Sequence, residues 1–383
     1  QGARAPTQAF VDRFAAIYTP TVFLIALAVA LLSPWLFGWG WLQGVYKALV
    51  LLVIACPCAL VISTPVSIVS GLAAAARRGV LIKGGVHLEQ ARRLQVIALD
   101  KTGTVTEGKP RLVTTDVLTT DVSRDDILHW AADMAAHSDH PVSRAIAAGL
   151  NSQGCTQDLE DFEALPGQGT RALAHGVELW LGNHRLIESL GVCSPAVEAV
   201  LARHEAQGRT VTLLASSKHV LAVFAVADAI KPSSREAMAQ LAAMGVQTLM
   251  LSGDNPATVE AIAREADIAS ARGHLMPQDK LAAIRELQAG GRQRVAMVGD
   301  GINDAPALAT SDLGIAMGGA GTDIAIEAAD VVIMNDDLRR IPETIALSRR
   351  THAILAQNIA LALGIKAVFL ALAVFGLATM WMA

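Results

Sequence analysis

The chain has 383 residues, 52% of them hydrophobic and 17% charged, with a formal net charge of −4. That length exceeds one ordinary domain. The balance is too apolar for a soluble protein and too polar for one wholly embedded in a membrane, and the weak negative charge excludes a broad basic surface for nucleic acid.

The apolar residues are segregated to the two ends. Residues 14–37 form an uncharged run long enough to cross a bilayer, which takes roughly 20 residues. Pro34, Gly38 and Gly40 mark a turn, and Trp35, Trp39 and Trp41 cluster there as at a headgroup boundary. A second run extends over 45–76. Arg77, Arg78 and Lys83 follow it and place that end in the cytosol by the positive-inside rule. The two runs read as an in–out–in hairpin. No signal peptide is present, and the start at Gln1 and the apolar end at Ala383 read as a fragment cut at both ends.

From Arg92 to about Arg350 the pattern is that of a cytosolic α/β protein. Short apolar runs end in acidic residues: Val96–Leu99 before Asp100, Thr248–Leu251 before Ser252-Gly253-Asp254, and Val295–Val298 before Gly299-Asp300. Amphipathic stretches such as Ser234–Ala243 and Pro277–Gln288 lie between them. This is the signature of a parallel sheet with helices on its faces, whose ligands bind at the carboxyl ends of the strands. Residues from about Arg111 to Ala225 interrupt the alternation and read as an inserted domain. A third apolar run, 353–375, returns to the membrane. The four cysteines, Cys56, Cys58, Cys155 and Cys193, form no disulfide framework and suit a reducing compartment.

A carboxylate at a strand tip, such as Asp100 in Asp100-Lys101-Thr102-Gly103-Thr104, can attack the γ-phosphoryl group of ATP. Its own charge repels that group, and Mg²⁺ relieves the repulsion. Asp300 and Asp304, in Gly299-Asp300-Gly301-Ile302-Asn303-Asp304, supply further hard oxygen ligands. Lys280 can neutralise phosphate, and Ser252 and the Gly253 backbone can donate hydrogen bonds to it. A lone Asp-Lys-Thr would be an ordinary solvated loop; three acidic strand tips in this order, with a lysine before the third, are not. A hydrolase that attacks with aspartate usually carries a second acid two positions on to activate water. Here that place holds Thr102, so the aspartyl phosphate should persist until something else triggers its hydrolysis.

The Asp100–Thr106 run, the Ser252-Gly253-Asp254 turn and the Gly299–Pro306 run closely resemble the P-type ATPases. The resemblance extends over essentially the whole chain and implies a haloacid-dehalogenase-like Rossmannoid phosphorylation domain with an inserted α+β nucleotide-binding domain, flanked by membrane-spanning helices. It implies Asp100, Lys101, Thr102, Ser252, Gly253, Asp254 and Lys280 as catalytic residues, and Asp100, Thr102, Asp300, Asn303 and Asp304 around Mg²⁺. In the heavy-metal class a Ser-x-His-Pro motif, a Gly-x-Gly loop and a Gly-Asn pair line the adenine pocket; the matching residues are His140, Pro141, Gly167, Gly169 and Asn183. The class often has glutamate where this chain has Ala135, with Asp133 as a possible substitute. His137 and His140 are three apart and could share a helix face, which makes a zinc site conceivable, but no further ligands stand at suitable spacing.

Cys56-Pro57-Cys58 lies in the second apolar run. On a regular helix residues two apart point about 200° away from each other. Proline breaks the helix and can bring both sulfurs to one site. Paired thiolates favour soft or borderline cations over Na⁺ or Ca²⁺. Lys366 stands near the middle of the third run, where a lysine costs about 2.5–3.5 kcal/mol and usually has a partner or a task. Zinc/cadmium/lead-exporting ATPases carry a lysine in the matching span, read as an internal counter-ion; copper pumps carry a Tyr-Asn pair there, and this chain has Gln357-Asn358. The resemblance therefore implies multi-pass residence in a cell membrane, cytosolic catalytic domains, a monomeric pump, and export of Zn²⁺, Cd²⁺ or Pb²⁺, unranked. Export of Cu⁺ and a membrane-anchored phosphatase are the alternatives.

The expected division is a membrane hairpin and stalk over 1–87, a phosphorylation domain over 88–110 and 227–348, a nucleotide-binding domain over 111–226, and a third span with the start of a last one over 349–383. The family's actuator domain carries a Thr-Gly-Glu loop that the sequence lacks. The expectation is a piece that binds ATP without completing a transport cycle.

Overall fold

The computed structural model describes residues 6–55, 58–150, 159–289, 293–318 and 322–374, of a few helical residues, Cys58 among them, the backbone only. The chain forms two compact units, residues 1–93 with 343–383, and residues 94–342.

In the first unit, helices α1 (Pro6–Phe37), α2 (Trp41–Ala55) and α3 (Cys58–Ala76) precede a short strand β1 (Val80–Ile82) and helix α4 (Gly85–Ala91). The run expected over 45–76 takes in most of α2 and the whole of α3, with residues 56 and 57 outside the described residues. Among the described residues two stretches, Thr7–Ser33 and Arg340–Leu372, are long and apolar enough to cross a membrane. Their apolar side chains, Leu24, Leu32, Leu361 and Val368 among them, are exposed. Such all-round apolar helices suit a lipid solvent rather than water. Gly44 allows the close approach of α1 and α2, because a Cβ there would run into Ser33.

The second unit opens with β2 (Val96–Asp100), every residue of which is buried. After the Asp100 loop the chain enters an antiparallel sheet of six strands: β3 (Arg111–Val117), β4 (Leu159–Leu165), β5 (Gly169–Ala174), β6 (Val177–Gly182), β7 (Thr210–Ser216) and β8 (Val220–Ala227), in the order β3-β8-β7-β6-β5-β4. Helices α5 (Arg124–Ala136), α6 (Pro141–Gly149), α7 (His184–Ser189) and α8 (Pro195–Glu205) accompany it. Ile127, Trp130, Met134 and Ile146 from α5 and α6 pack against Leu179, Leu214 and Phe224 from the strands.

The chain then completes the parallel sheet with α9 (Pro232–Ala243), β9 (Gln247–Leu251), α10 (Pro256–Glu265), β10 (Ser270–Arg272), α11 (Pro277–Gln288), β11 (Val295–Gly299), α12 (Ala305–Thr310), β12 (Leu313–Met317), α13 (Asp323–Ala328) and β13 (Val331–Ile333). Within this unit the strand order is β13-β12-β11-β2-β9-β10, all parallel. The strands read as continuous apolar runs because both faces are covered. The last helix, α14 (Arg340–Val374), leads back into the first unit.

Candidate active site

β2 lies between β11 and β9 in the sheet, with Leu99 opposite Val298 and Asp100 opposite Leu251. The registers bring the three acidic turns side by side. Asp100 leaves the sheet between Gly299-Asp300 and Ser252-Gly253-Asp254, so residues far apart in sequence share one strand edge.

Asp100 and Asp304 are buried and Asp300 is half-buried. One carboxylate oxygen from each lies within 4.8 Å of the others. Lys280, on α11, contacts Asp100 and donates from Nζ to Asp304 Oδ1 at 2.8 Å. Burial, reinforced by the Asp304 charge, pushes Asp100 up to about 6 against the pull of Lys280 and Lys101. Burial and then the charges of Asp100 and Asp304 push Asp300 up to about 7. Burial disfavours the Lys280 charge, but Asp100 and Asp304 override it and hold the ammonium above the ordinary lysine value. Three crowded carboxylate oxygens that resist joint ionisation are a donor set suited to a hard divalent cation.

The loop after Asp100 is fixed by backbone. Gly103 has φ +70°, and a Cβ there would collide with the Asp300 carboxylate. Lys101 is buried, and its ammonium pairs with Asp254 in the neighbouring turn. Thr102 and Asn303 are exposed, Asn303 on the short 3-10 turn Ile302–Asp304. Ser252 is buried, and its Oγ accepts from the Asp254 amide at 3.2 Å, stiffening the turn that holds Gly253.

Two further residues belong to this site and escaped sequence reasoning. Lys231 is buried; its Nζ donates to the Gly103 carbonyl at 2.5 Å and stands 3.4 Å from Asp336 Oδ2. Asp228 accepts from Thr106 Oγ1 at 2.6 Å and from the amides of Gly108 and Lys109 at 3.1 and 3.0 Å. The available signal was an Asp and a Lys three apart, just before Pro232, where the insert rejoins the parallel sheet.

In the inserted domain His140, Gly167, Gly169 and Asn183 line one cleft of about 310 Å³. His140 caps α6, its Nδ1 accepting from Val142 N at 3.3 Å, and Pro141 opens that helix. Gly169 has φ +155°, and a Cβ there would strike the facing strand at Leu181 and Gly182. Asn183 ties the cleft wall together: Nδ2 donates to Gly167 O at 3.1 Å, and Oδ1 accepts from Leu186 N at 3.0 Å. Ala135 is fully buried in the domain core, and Asp133, also buried, faces His129 at 3.5 Å rather than the cleft. The conceivable His137–His140 zinc pair does not share a helix, because α5 ends at Ala136 and α6 begins at Pro141. His137 Nδ1 pairs with the Asp133 carbonyl at 2.8 Å.

In the first unit, Cys56, Pro57 and the Cys58 side chain lie outside the described residues. Lys366, on α14, donates to the carbonyl of Ile54 at 3.1 Å, two residues before Cys56. Ile54, Ala55 and Lys366 border a cavity of about 150 Å³ with Phe14 and Tyr18.

Residues 94–312 match the haloacid dehalogenase-like hydrolase family. The chain is 43% identical over 389 residues to a cadmium-transporting ATPase of Staphylococcus aureus, covering 100% of this chain and 53% of that protein. It is 42% identical over 384 residues to the zinc/cadmium/lead-transporting P-type ATPase of Escherichia coli strain K12, covering 99% of this chain and 51% of the relative. It is 43% identical over 386 residues to a copper-exporting P-type ATPase of Bacillus subtilis, covering 100% of this chain and 48% of the relative. The chain therefore spans about half the length of these relatives. Among solved structures it resembles a zinc-transporting PIB-type ATPase in the E2.Pi state, with a TM-score of 0.77 and 40% identity over 97% of this chain and 60% of that one. The chain belongs to the haloacid dehalogenase-like hydrolase family and, within it, to the heavy-metal P-type ATPases.

Proposed function

We propose that this chain is the catalytic and metal-path portion of a pump that uses ATP to export a soft divalent cation, Zn²⁺, Cd²⁺ or Pb²⁺, across a cell membrane. The observation that carries the reading is the position of Asp100, buried at the tip of a central strand with Asp300, Asp304 and Lys280 around it. A carboxylate oxygen of Asp100 attacks the γ-phosphorus of ATP, the bond to the β-phosphate oxygen breaks, and ADP leaves. Water later cleaves the acyl phosphate, releasing phosphate and restoring the carboxylate.

Lys280 supports this by holding Asp100 ionised and by meeting the incoming phosphoryl charge. Asp100, Asp300 and Asp304 would hold Mg²⁺, with Thr102 and Asn303 at the rim. Bound there, Mg²⁺ would supply charge neutralisation between the carboxylates and the phosphate oxygens. Lys101 and Asp254 brace each other across two strand tips, and Ser252 and Gly253 form the turn that faces the phosphoryl group. The cleft lined by His140, Gly167, Gly169 and Asn183, with Pro141 setting the helix behind it, suits the adenine end of ATP.

The transported cation is assigned to the Cys56 and Cys58 thiolates, with Lys366 as the charge that occupies the emptied site. The Lys366–Ile54 hydrogen bond supports this by placing an ammonium beside the segment that leads into Cys56. Two thiolates suit a soft or borderline cation, and the lysine balances their charge once the ion has left. The likeness to cadmium- and zinc-transporting relatives supports the same reading.

The test is metal-dependent phosphorylation of the full-length protein from γ-labelled ATP, scanned over Zn²⁺, Cd²⁺, Pb²⁺ and Cu⁺. A hydroxylamine-labile label that requires a divalent soft metal and vanishes in Asp100→Asn is the expected result. Metal-independent release of phosphate from small esters would instead mark a phosphatase. Strongest labelling with Cu⁺ would move the cargo assignment to copper.

A further inference from the structure

A second group of metal-ligating side chains lies on the inserted domain. His184 opens α7, Cys193 sits in the connection to α8, and Glu198 stands in the first turn of α8. One donor atom from each lies within 4.8 Å of the others. His184 Nε2 already meets Glu198 Oε1 at 2.8 Å. The donors around a tetrahedral Zn²⁺ stand about 3.3–3.8 Å apart, as bonds of about 2.0–2.3 Å require. The three groups therefore need only small side-chain rotations to enclose an ion.

The scaffold holds them in place. Cys193 is half-buried and packs against the apolar cluster of Leu186, Ile187, Val197 and Leu201. Ser194 caps α8 by accepting from Val197 N at 3.4 Å, which fixes the backbone on the far side of the thiol. The local field is negative, since Glu188 and Glu198 both act on Cys193, and Glu205 acts with Glu198 around His184. An imidazole–carboxylate pair alone is an ordinary surface contact. The thiol within reach of both, on a cluster with surplus negative charge, changes the chemistry. One sulfur, one nitrogen and one oxygen donor select a borderline or soft cation over Mg²⁺ or Ca²⁺.

We propose that His184, Cys193 and Glu198 form a binding site for one cation of the Zn²⁺ or Cd²⁺ class, with water completing the coordination. The site stands on donor geometry within this domain and does not depend on the transport reading. It adjoins the cleft through the chain, because Asn183, the residue before His184, bridges to Gly167 at the cleft wall.

The experiment uses the whole chain in detergent, with Cys56, Cys58 and Cys155 all replaced by serine so that Cys193 is the sole thiol, and with excess Mg²⁺ to fill hard-oxygen sites. Cd²⁺ is titrated while the ultraviolet cadmium–thiolate charge-transfer band and the bound metal are measured. The expected result is one Cd²⁺ per chain with a saturable band. His184→Gln and Glu198→Gln each weaken binding by at least about tenfold, as loss of even an outer partner of a metal ligand does, and the band returns at saturation. Cys193→Ser removes the band. Absence of the band in the three-serine background overturns the site. Unchanged affinity in both His184→Gln and Glu198→Gln also overturns it, because a thiol binding alone would give that result. The half-buried His184 and the exposed Glu198 decide the matter even if Cys193→Ser fails to fold.

Discussion

Lys231 donates to the carbonyl of Gly103 across 2.5 Å, so a residue just beyond the inserted domain holds the loop that begins at Asp100. The contact is buried, and nothing in the local sequence around either residue announces it. Replacing Lys231 with methionine keeps the volume and removes the donor. It strands the Gly103 carbonyl and leaves Asp336 without its cation. The expected cost is about 1–3 kcal/mol for the unsatisfied group, read as a lowered thermal midpoint of the chain. Slower phosphorylation of Asp100 should accompany it. Lys231→Arg should recover part of both.

Lys280 and Asp100 define a pH dependence. Burial and Asp304 raise Asp100 to about 6, and Lys280 is one of the charges restraining that rise. In Lys280→Met the restraint is lost, so the carboxyl titrates higher still and is protonated where the attack needs it ionised. Single-turnover labelling should fall by at least about tenfold at mildly acid pH and recover in part towards about pH 8.5. The unaltered protein should be flatter across the same range. An equal loss at every pH would show that Lys280 acts on the phosphate alone.

Mg²⁺ should stabilise the catalytic unit in a pH-dependent way. Asp100 and Asp300 titrate at about 6 and about 7 in the folded chain, above the ordinary carboxylate value. Between that ordinary value and about 7 the folded state binds more protons than the unfolded state. Stability in metal-free buffer therefore falls as pH rises through this window and levels off above it. Bound Mg²⁺ compensates the same repulsion. The rise in thermal midpoint on adding Mg²⁺ should be small near pH 5 and larger near pH 8, with EDTA reversing it, and this is measurable by scanning fluorimetry.

Two glycines separate strain from collision. Gly103 and Gly176 have φ of +70° and +79°, so alanine at either costs about 1–2 kcal/mol of backbone strain. At Gly176 a Cβ meets nothing within 4 Å, whereas at Gly103 it meets the Asp300 carboxylate. Gly176→Ala should lower the thermal midpoint slightly and leave phosphorylation intact. Gly103→Ala should abolish phosphorylation, and Mg²⁺ should no longer stabilise the chain.

The strand tips were legible because a doubly covered parallel strand must be apolar throughout, so an acid at its end stands out. Asp100, Asp254 and Asp300 were found that way, and the sheet order then made them neighbours. The direction of Lys101 was not legible: it sits next to Asp100 in sequence but pairs with Asp254, a choice made by strand pairing rather than by local pattern. Asp133 was expected as a stand-in near the adenine pocket, yet the turn of α5 faces it to His129. Lys231 and Asp228 matter only because the insert leaves the chain beside the point where it entered. The two long apolar stretches were plain from composition.

The insert joins the parallel-sheet domain by two adjacent strands, with Arg111 opposite Ala227 and the Lys109 amide 3.0 Å from Asp228 Oδ1. Entry and exit therefore coincide in space, and the domain hangs as a cassette from one seam. A few residues of linker would reseal that seam after excision. Relatives of this architecture could exchange the whole cassette without disturbing strand order or the Asp100 pocket, so the part proposed to bind ATP and the part proposed to receive the phosphate are free to diverge at different rates.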